Sequence, residues 1–200
     1  MSQPNLRADL AQISQWVNHD SRVLDLGCGD GTLLRHLCDT QNVSGYGLEL
    51  NTESVTACVK KGVNVIHTDL NAGLADFDAQ TFDYVIMTQA LQMVRHPDRL
   101  IDEMLRIGKE GIVTFPNFGY WKCRLAIARG RMPVTPGLPN SWYNTDNIHL
   151  CTVKDFEALC KSKGIKILRR AVLDSQHQRD LSARLWPNLF GEIALYHISR

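Results

Sequence analysis

Arg22-Val23-Leu24-Asp25-Leu26-Gly27-Cys28-Gly29-Asp30-Gly31-Thr32-Leu33-Leu34 is the stretch on which the reading of the fold turns. Its first five residues carry the short apolar pattern of a buried strand, and from Thr32 the apolar residues return at helical spacing. Between them Gly27, Gly29 and Gly31 occupy alternate positions. Glycines so placed permit a tight turn and let the backbone lie against a ligand with no Cβ in the way. The helix that follows presents free N–H groups and a positive dipole end to whatever occupies the turn. Strand, glycine turn and helix together open a βαβ unit.

Working outward, the same alternation continues. Upstream, Leu6, Leu10, Ile13, Trp16 and Val17 are spaced for a helix that Asn18-His19-Asp20-Ser21 ends. Downstream come a strand over Val43–Leu48, a helix over Thr52–Lys61 closed by Gly62, and a third strand over Val63–His67. A fourth strand spans Phe82–Met87. Pro97–Ile107 is helical with proline at its first turn, where the missing N–H costs nothing. A fifth strand, Gly111–Phe115, stops at Pro116. Strands alternating with helices predict an α/β fold, a doubly wound and mostly parallel sheet covered by helices on both faces. Beyond Pro116 the spacing predicts a helix over Phe118–Arg129, irregular chain over Arg131–Pro139 and a helix over Thr152–Lys163. Two last strands, Ile165–Leu173 and Glu192–Ser199, joined by a polar segment, bring the expected sheet to about seven.

Two hundred residues suit a single domain, 1–200, able to bury a core without staples. With 44% hydrophobic and 22% charged residues the composition is that of a soluble globular protein. A net charge of +1 offers no global field to recruit nucleic acid or an anionic membrane. Cys28, Cys38, Cys58, Cys123, Cys151 and Cys160 form no C-x-x-C pair and no zinc spacing, so no metal site is expected. The opening residues are polar and include Asp9, unlike a signal peptide, and no apolar run approaches the length of about eighteen that a membrane span needs. Unpaired thiols without an export signal point to the cytoplasm.

The ligand class follows from the acids around the glycine turn. A dinucleotide site wants G-x-G-x-x-G, so that pyrophosphate meets the helix terminus. Here the spacing is G-x-G-x-G, with Asp25 two residues before the first glycine. That pattern disfavours an NAD-type oxidoreductase and suits a ligand bearing an amino group. Glu49 ends the second strand about twenty residues on, where a carboxylate reaches ribose hydroxyls. Asp69 follows the third strand, where it could accept from an adenine amino group. Each acid alone also reads as a helix cap or surface solubiliser. Together, at the C-terminal ends of consecutive strands, they converge on one crevice.

These residues resemble the class I S-adenosylmethionine-dependent methyltransferases. The resemblance implies a Rossmann-like fold ending in an antiparallel hairpin, with S-adenosyl-L-methionine as cofactor. It implies that Asp25 orders the loop near the methionine amine, that Glu49 binds ribose and that Asp69 serves adenine. Cofactor contacts are then expected from Asp25, Gly27, Cys28, Gly29, Gly31, Glu49, Leu50, Asp69, Leu70 and Thr88.

Past the fourth strand the resemblance narrows. Met87-Thr88-Gln89-Ala90-Leu91-Gln92, Thr114–Trp121, Gly130–Thr135 and Trp142–Thr152 are similar to the bacterial MetW family of methionine-biosynthesis proteins. The likeness runs over nearly the whole chain and is less distinctive beyond Asp174. It implies a role in making methionine with the homoserine O-acyltransferase MetX, and it brings no methyl acceptor. A subunit that supports the acyltransferase and an active methyltransferase on a small molecule therefore both stay open. There is no Asn-Pro-Pro-Tyr after the fourth strand to mark amino methylation. Candidate catalytic groups are His149, Tyr143 and Gln89, with Gln92, Asn117 and Tyr120 beside them. His149 could act as a base near neutral pH or pack at a helix entrance. Trp121, Trp142 and Tyr143 could close over a substrate, form a protein contact or pack beneath the loop. Lys122, Arg124, Arg129 and Arg131 read as a solvated basic face, and Cys28 as a thiol filling a small gap. Glu49→Ala is expected to leave the fold nearly intact, as surface carboxylates usually do.

Overall fold

The computed structural model describes residues 6–173 and 185–200. Helix α1 (Ala8–Ser14) precedes strand β1 (Arg22–Leu26) and helix α2 (Thr32–Gln41). Strand β2 (Ser44–Glu49), helix α3 (Thr52–Lys60) and strand β3 (Val65–His67) follow. Next come β4 (Phe82–Thr88), α4 (Pro97–Ile107), β5 (Gly108–Pro116) and α5 (Trp121–Ala128). The chain closes through α6 (Val153–Ser162), β6 (Lys166–Leu173), the short α7 (Pro187–Phe190) and β7 (Ile193–Ser199). The strands form one sheet in the order β3-β2-β1-β4-β5-β7-β6. β1 to β5 run parallel, while β7 lies antiparallel between β5 and β6. This is the class I methyltransferase architecture expected from the sequence, C-terminal antiparallel pair included.

Side-chain alternation along the central strands builds a core on each face. On β4, Val85 and Met87 pack with Leu24, Leu26, Ile101, Met104 and Phe156 under α4 and α6. Tyr84 and Ile86 point the other way, to Val23, Ile13, Leu34 and Leu37 under α1 and α2. Strands buried on both faces read as largely apolar runs, which is why β1 and β4 were legible despite Asp25 and Asp83.

Boundaries differ from the expected ones where a local bond intervenes. α1 stops at Ser14 because the Trp16 and Val17 N–H groups both turn back to the Ile13 carbonyl. Val63 does not enter β3, since its N–H closes α3 by bonding the Cys58 carbonyl, with Gly62 left-handed at φ 69°. The helix expected from Phe118 begins at Trp121, because Asn117 folds the intervening residues into a turn. Its Oδ1 accepts from the Gly119 and Val153 N–H groups, and its Nδ2 donates to the Gly191 carbonyl at 2.7 Å. α7 was not expected. It lies at the end of the polar segment, whose residues 174–184, like 1–5, are outside the described residues.

Candidate functional site

In an open sheet of this order the crevice lies where the strand order reverses, beyond the carboxyl ends of β1 and β4. A cavity of about 910 Å³ opens there. Its walls come from Gly27, Glu49 and Leu50, from Asp69 and Leu70, and from Thr88 and Gln89. Seven residues singled out from four separate segments of sequence are thus brought together.

The glycine loop reaches the cavity through Gly27, while Asp25, Cys28, Gly29 and Gly31 lie outside its lining. Gly27 and Gly31 have φ of 70° and 74°, the left-handed region that side chains resist. A Cβ on Gly31 would also meet the Cys58 Sγ at 2.9 Å. A Cβ on Gly29 would meet nothing within 4 Å, so this turn has a bare outer face. Cys28 sends its thiol inward, 3.8 Å from Cys58 Sγ, into space that Gly47 leaves by lacking a Cβ. The gap-filling reading of that thiol fits this packing. Burial, with Asp25 next, raises its pKa well above the ordinary thiol value.

Glu49 ties the two loops together. Its Oε2 accepts from the Gly29 N–H at 2.8 Å, and its Oε1 accepts from the Leu50 and Asn51 N–H groups at 2.9 and 2.8 Å. It is therefore more than a surface carboxylate, since its removal would cost the two loops these backbone bonds. Asp69 caps the 3-10 turn at Leu70–Ala72 through Asn71 while still facing the cavity. Asp25 lies beneath the loop, 1% exposed, and neither carboxylate oxygen has a hydrogen-bond partner among the described residues. Burial, then repulsion from Glu49, raises its pKa from 3.8 to about 7.

Gln89 stands at φ 51°, pinned by its N–H to the Thr114 carbonyl and hydroxyl. Its Nε2 donates to Asp9 Oδ2 at 3.1 Å, and Arg7 holds that carboxylate from the other side. Asp9 is completely buried, so α1 braces the crevice wall. The sequence reading used Asp9 only as evidence against a leader; an acid in a first helical turn does not announce a tertiary partner.

The block at 142–152 is divided. Its Ile148 and His149 N–H groups donate to the Gln92 carbonyl, and Phe118 N–H donates to the Cys151 carbonyl. These bonds stretch the segment across the cavity mouth, where Thr145, Asp146 and Ile148 join the walls. Those three were missed, although the block holding them had been singled out. His149 does not line the cavity; its Nε2 lies 3.3 Å from the Arg95 carbonyl oxygen. Tyr143 faces a separate shallow groove. Asn117 is spent on the backbone bonds described above, and Tyr120 is buried with Cys123 and Leu138. Gln92 is also buried, its Nε2 donating to the Gln89 carbonyl.

Among the described residues the walls carry three carboxylates, Glu49, Asp69 and Asp146, and no Lys, Arg or His. Such a cavity favours a ligand with positive charge. Among the described residues no three His, Cys, Asp or Glu side chains converge as a metal site, and no helix is long and apolar enough to cross a membrane.

Comparison with known proteins agrees with this geometry. The family model "Methionine biosynthesis protein MetW" matches residues 7–198. A bifunctional methionine biosynthesis protein MetXA/MetW from Rhodopirellula baltica is 34% identical over 98% of this chain. The chain spans about a third of that relative, 33% of its length. Among solved structures, an S-adenosylmethionine-dependent methyltransferase from Archaeoglobus fulgidus superposes with a TM-score of 0.72 at 15% identity, covering 97% of this chain and 92% of its own. One from Mesorhizobium loti gives 0.71 at 18% identity, covering 96% and 98%. At such identities the likeness speaks for the fold alone, and it is the family match over nearly the whole length that identifies the chain. It belongs to the MetW family of methionine-biosynthesis proteins, built on the class I methyltransferase fold.

Proposed function

We propose that the 200 residues work as one cytoplasmic domain that binds S-adenosylmethionine and supports homoserine O-acylation, acting with the acyltransferase MetX. The observation that carries the reading is the relative that joins MetXA and MetW in one bifunctional protein. The crevice supports the cofactor half. S-adenosylmethionine carries a sulfonium and an ammonium, and among the described residues the walls offer three carboxylates and no competing cation. In this assignment Glu49 accepts from the ribose hydroxyls with lone pairs its backbone bonds leave free, and Asp69 accepts from the adenine amino group. Asp25, buried and unpartnered, orders the loop beside the ammonium, whose charge relieves the cost of burying a carboxylate. Gly29 keeps the turn bare, so backbone and ligand meet closely.

When bound, the cofactor supplies a transferable methyl group; a catalyst would also need a group to activate the acceptor. Among the described residues no His, Lys, Cys or Tyr lines the cavity, which favours a supporting subunit over an independent methyltransferase. Binding of the cofactor and of the acyltransferase are then linked, each altering the affinity for the other by the same factor. The second reading, methyl transfer to a small molecule, draws on the intact crevice of a methyltransferase fold.

Two measurements test the proposal. Thermal stabilisation by S-adenosylmethionine but not by NAD is expected, and the reverse would overturn the cofactor assignment. Acylation of homoserine by the host's acyltransferase should rise when this protein is added and respond to S-adenosylmethionine. No change in either condition, with methyl transfer from labelled cofactor into a cell extract, would move the assignment to the second reading.

A further inference from the structure

Tryptophan is ordinarily well buried, yet three of the four in this chain are exposed: Trp121 at 40%, Trp142 at 73% and Trp186 at 60%. Only Trp16 belongs to the core. The exposure is concentrated after β5, outside the βα units that form the crevice. α5 has no apolar stripe, leaving Trp121 and Leu125 one turn apart on its surface. It runs into Gly130, where a groove of about 430 Å³ opens between Met132 and Val134 on one side and Trp142 and Tyr143 on the other. The two aromatic rings meet edge to face, with centroids 5.6 Å apart. Arg131 lines the groove, no carboxylate among the described residues does, and Arg129 and Lys122 are exposed on the approach.

Exposed Trp, Tyr, Met and Arg around a concavity are the residues that protein interfaces concentrate in their anchors. None of the residues lining this groove lines the cofactor cavity. The strap nevertheless connects the two, since the segment that holds Trp142 and Tyr143 continues directly into Thr145 and Asp146 at the cavity mouth.

We propose that this groove is where the homoserine O-acyltransferase docks, inserting an apolar side chain ringed by carboxylates between Met132 and the Trp142–Tyr143 pair. The occupant is argued from the relative in which MetXA and MetW share one polypeptide: this chain matches a third of it, so the larger remainder works permanently beside a domain of this kind. The basic rim selects an acidic face on that partner. The proposal rests on the partnership put forward above and adds its location. It also supplies a physical route for linkage, because cofactor contacts at Asp146 and partner contacts at Tyr143 lie on one short strap.

The test uses the full-length chain and the host's purified acyltransferase in calorimetric titration, beside the acylation assay. A doubly substituted Trp142→Ala, Tyr143→Ala chain should fold normally, both side chains being about three-quarters exposed. It is expected to lose at least tenfold in acyltransferase affinity and most of the stimulation, while S-adenosylmethionine still stabilises it thermally as in the wild type. Arg131→Glu should weaken the complex most at low salt. Wild-type affinity in the double variant would overturn the groove assignment and leave the partnership standing. No binding by the wild-type chain would overturn both.

Discussion

Replacing Glu49 with alanine separates the structural and ligand-binding roles of one carboxylate. Its Oε2 accepts from the half-buried Gly29 N–H, and its Oε1 from the exposed Leu50 and Asn51 N–H groups. Water replaces the carboxylate at the two exposed donors with little net change, while the Gly29 donor loses a bond worth about 1 kcal/mol. For a chain of this length that corresponds to a fall in Tm of roughly 2–4 °C. Cofactor affinity should suffer more. A hydrogen bond to a charged group contributes about 1.5–3 kcal/mol, so losing the ribose acceptor raises Kd by roughly 10–150-fold. Thermal melts and calorimetric titration with S-adenosylmethionine on the same preparation read both quantities. An unchanged Kd alongside the small drop in Tm would refute the ribose assignment and with it the orientation of the ligand in the crevice.

Asp25→Asn probes the buried acid. Because burial raises its pKa from 3.8 to about 7, the folded state holds the extra proton through that window. Its contribution to stability therefore declines as pH rises from about 4 to 7 and is fully unfavourable above that range. The asparagine variant should be more stable than wild type at pH 8 by at least about 1 kcal/mol and should bind S-adenosylmethionine less tightly; equal stability at pH 8 would contradict the burial argument. Asn117→Ala strips partners from buried backbone groups at Gly119, Val153 and Gly191, and should cost about 2–4 kcal/mol in denaturant unfolding. A loss below about 1 kcal/mol would mean that water replaces it. Asp146→Asn removes one of three wall carboxylates, an exposed one, so S-adenosylmethionine should weaken by about 1.5–5-fold. S-adenosylhomocysteine, without the sulfonium charge, should weaken less, and equal losses for both ligands would argue against a charge-selective cavity.

The sequence by itself determined most of the elements and the segments that meet at the crevice. Apolar runs of strand length, the glycine turn after Leu26, proline at the first turn of α4 and the Thr152 cap, whose Oγ1 accepts from the Asp155 N–H, are local chemistry within a few residues. So is the placing of acids at the carboxyl ends of β1 and β2 and just after β3, because parallel strands deliver those ends to one edge. Tertiary structure decided what depends on contacts between distant residues. It set β7 between β5 and β6, tied Asp9 to Gln89 across eighty positions of chain, and made Asn117 a backbone latch. It also divided the strap, sending Asp146 to the cavity, Tyr143 to a groove and the His149 ring to the Arg95 carbonyl. No periodicity constrains such a segment. Its course is set by two backbone bonds to the Gln92 carbonyl and one from Phe118 to Cys151, partners fixed only once β4 and β5 lie side by side.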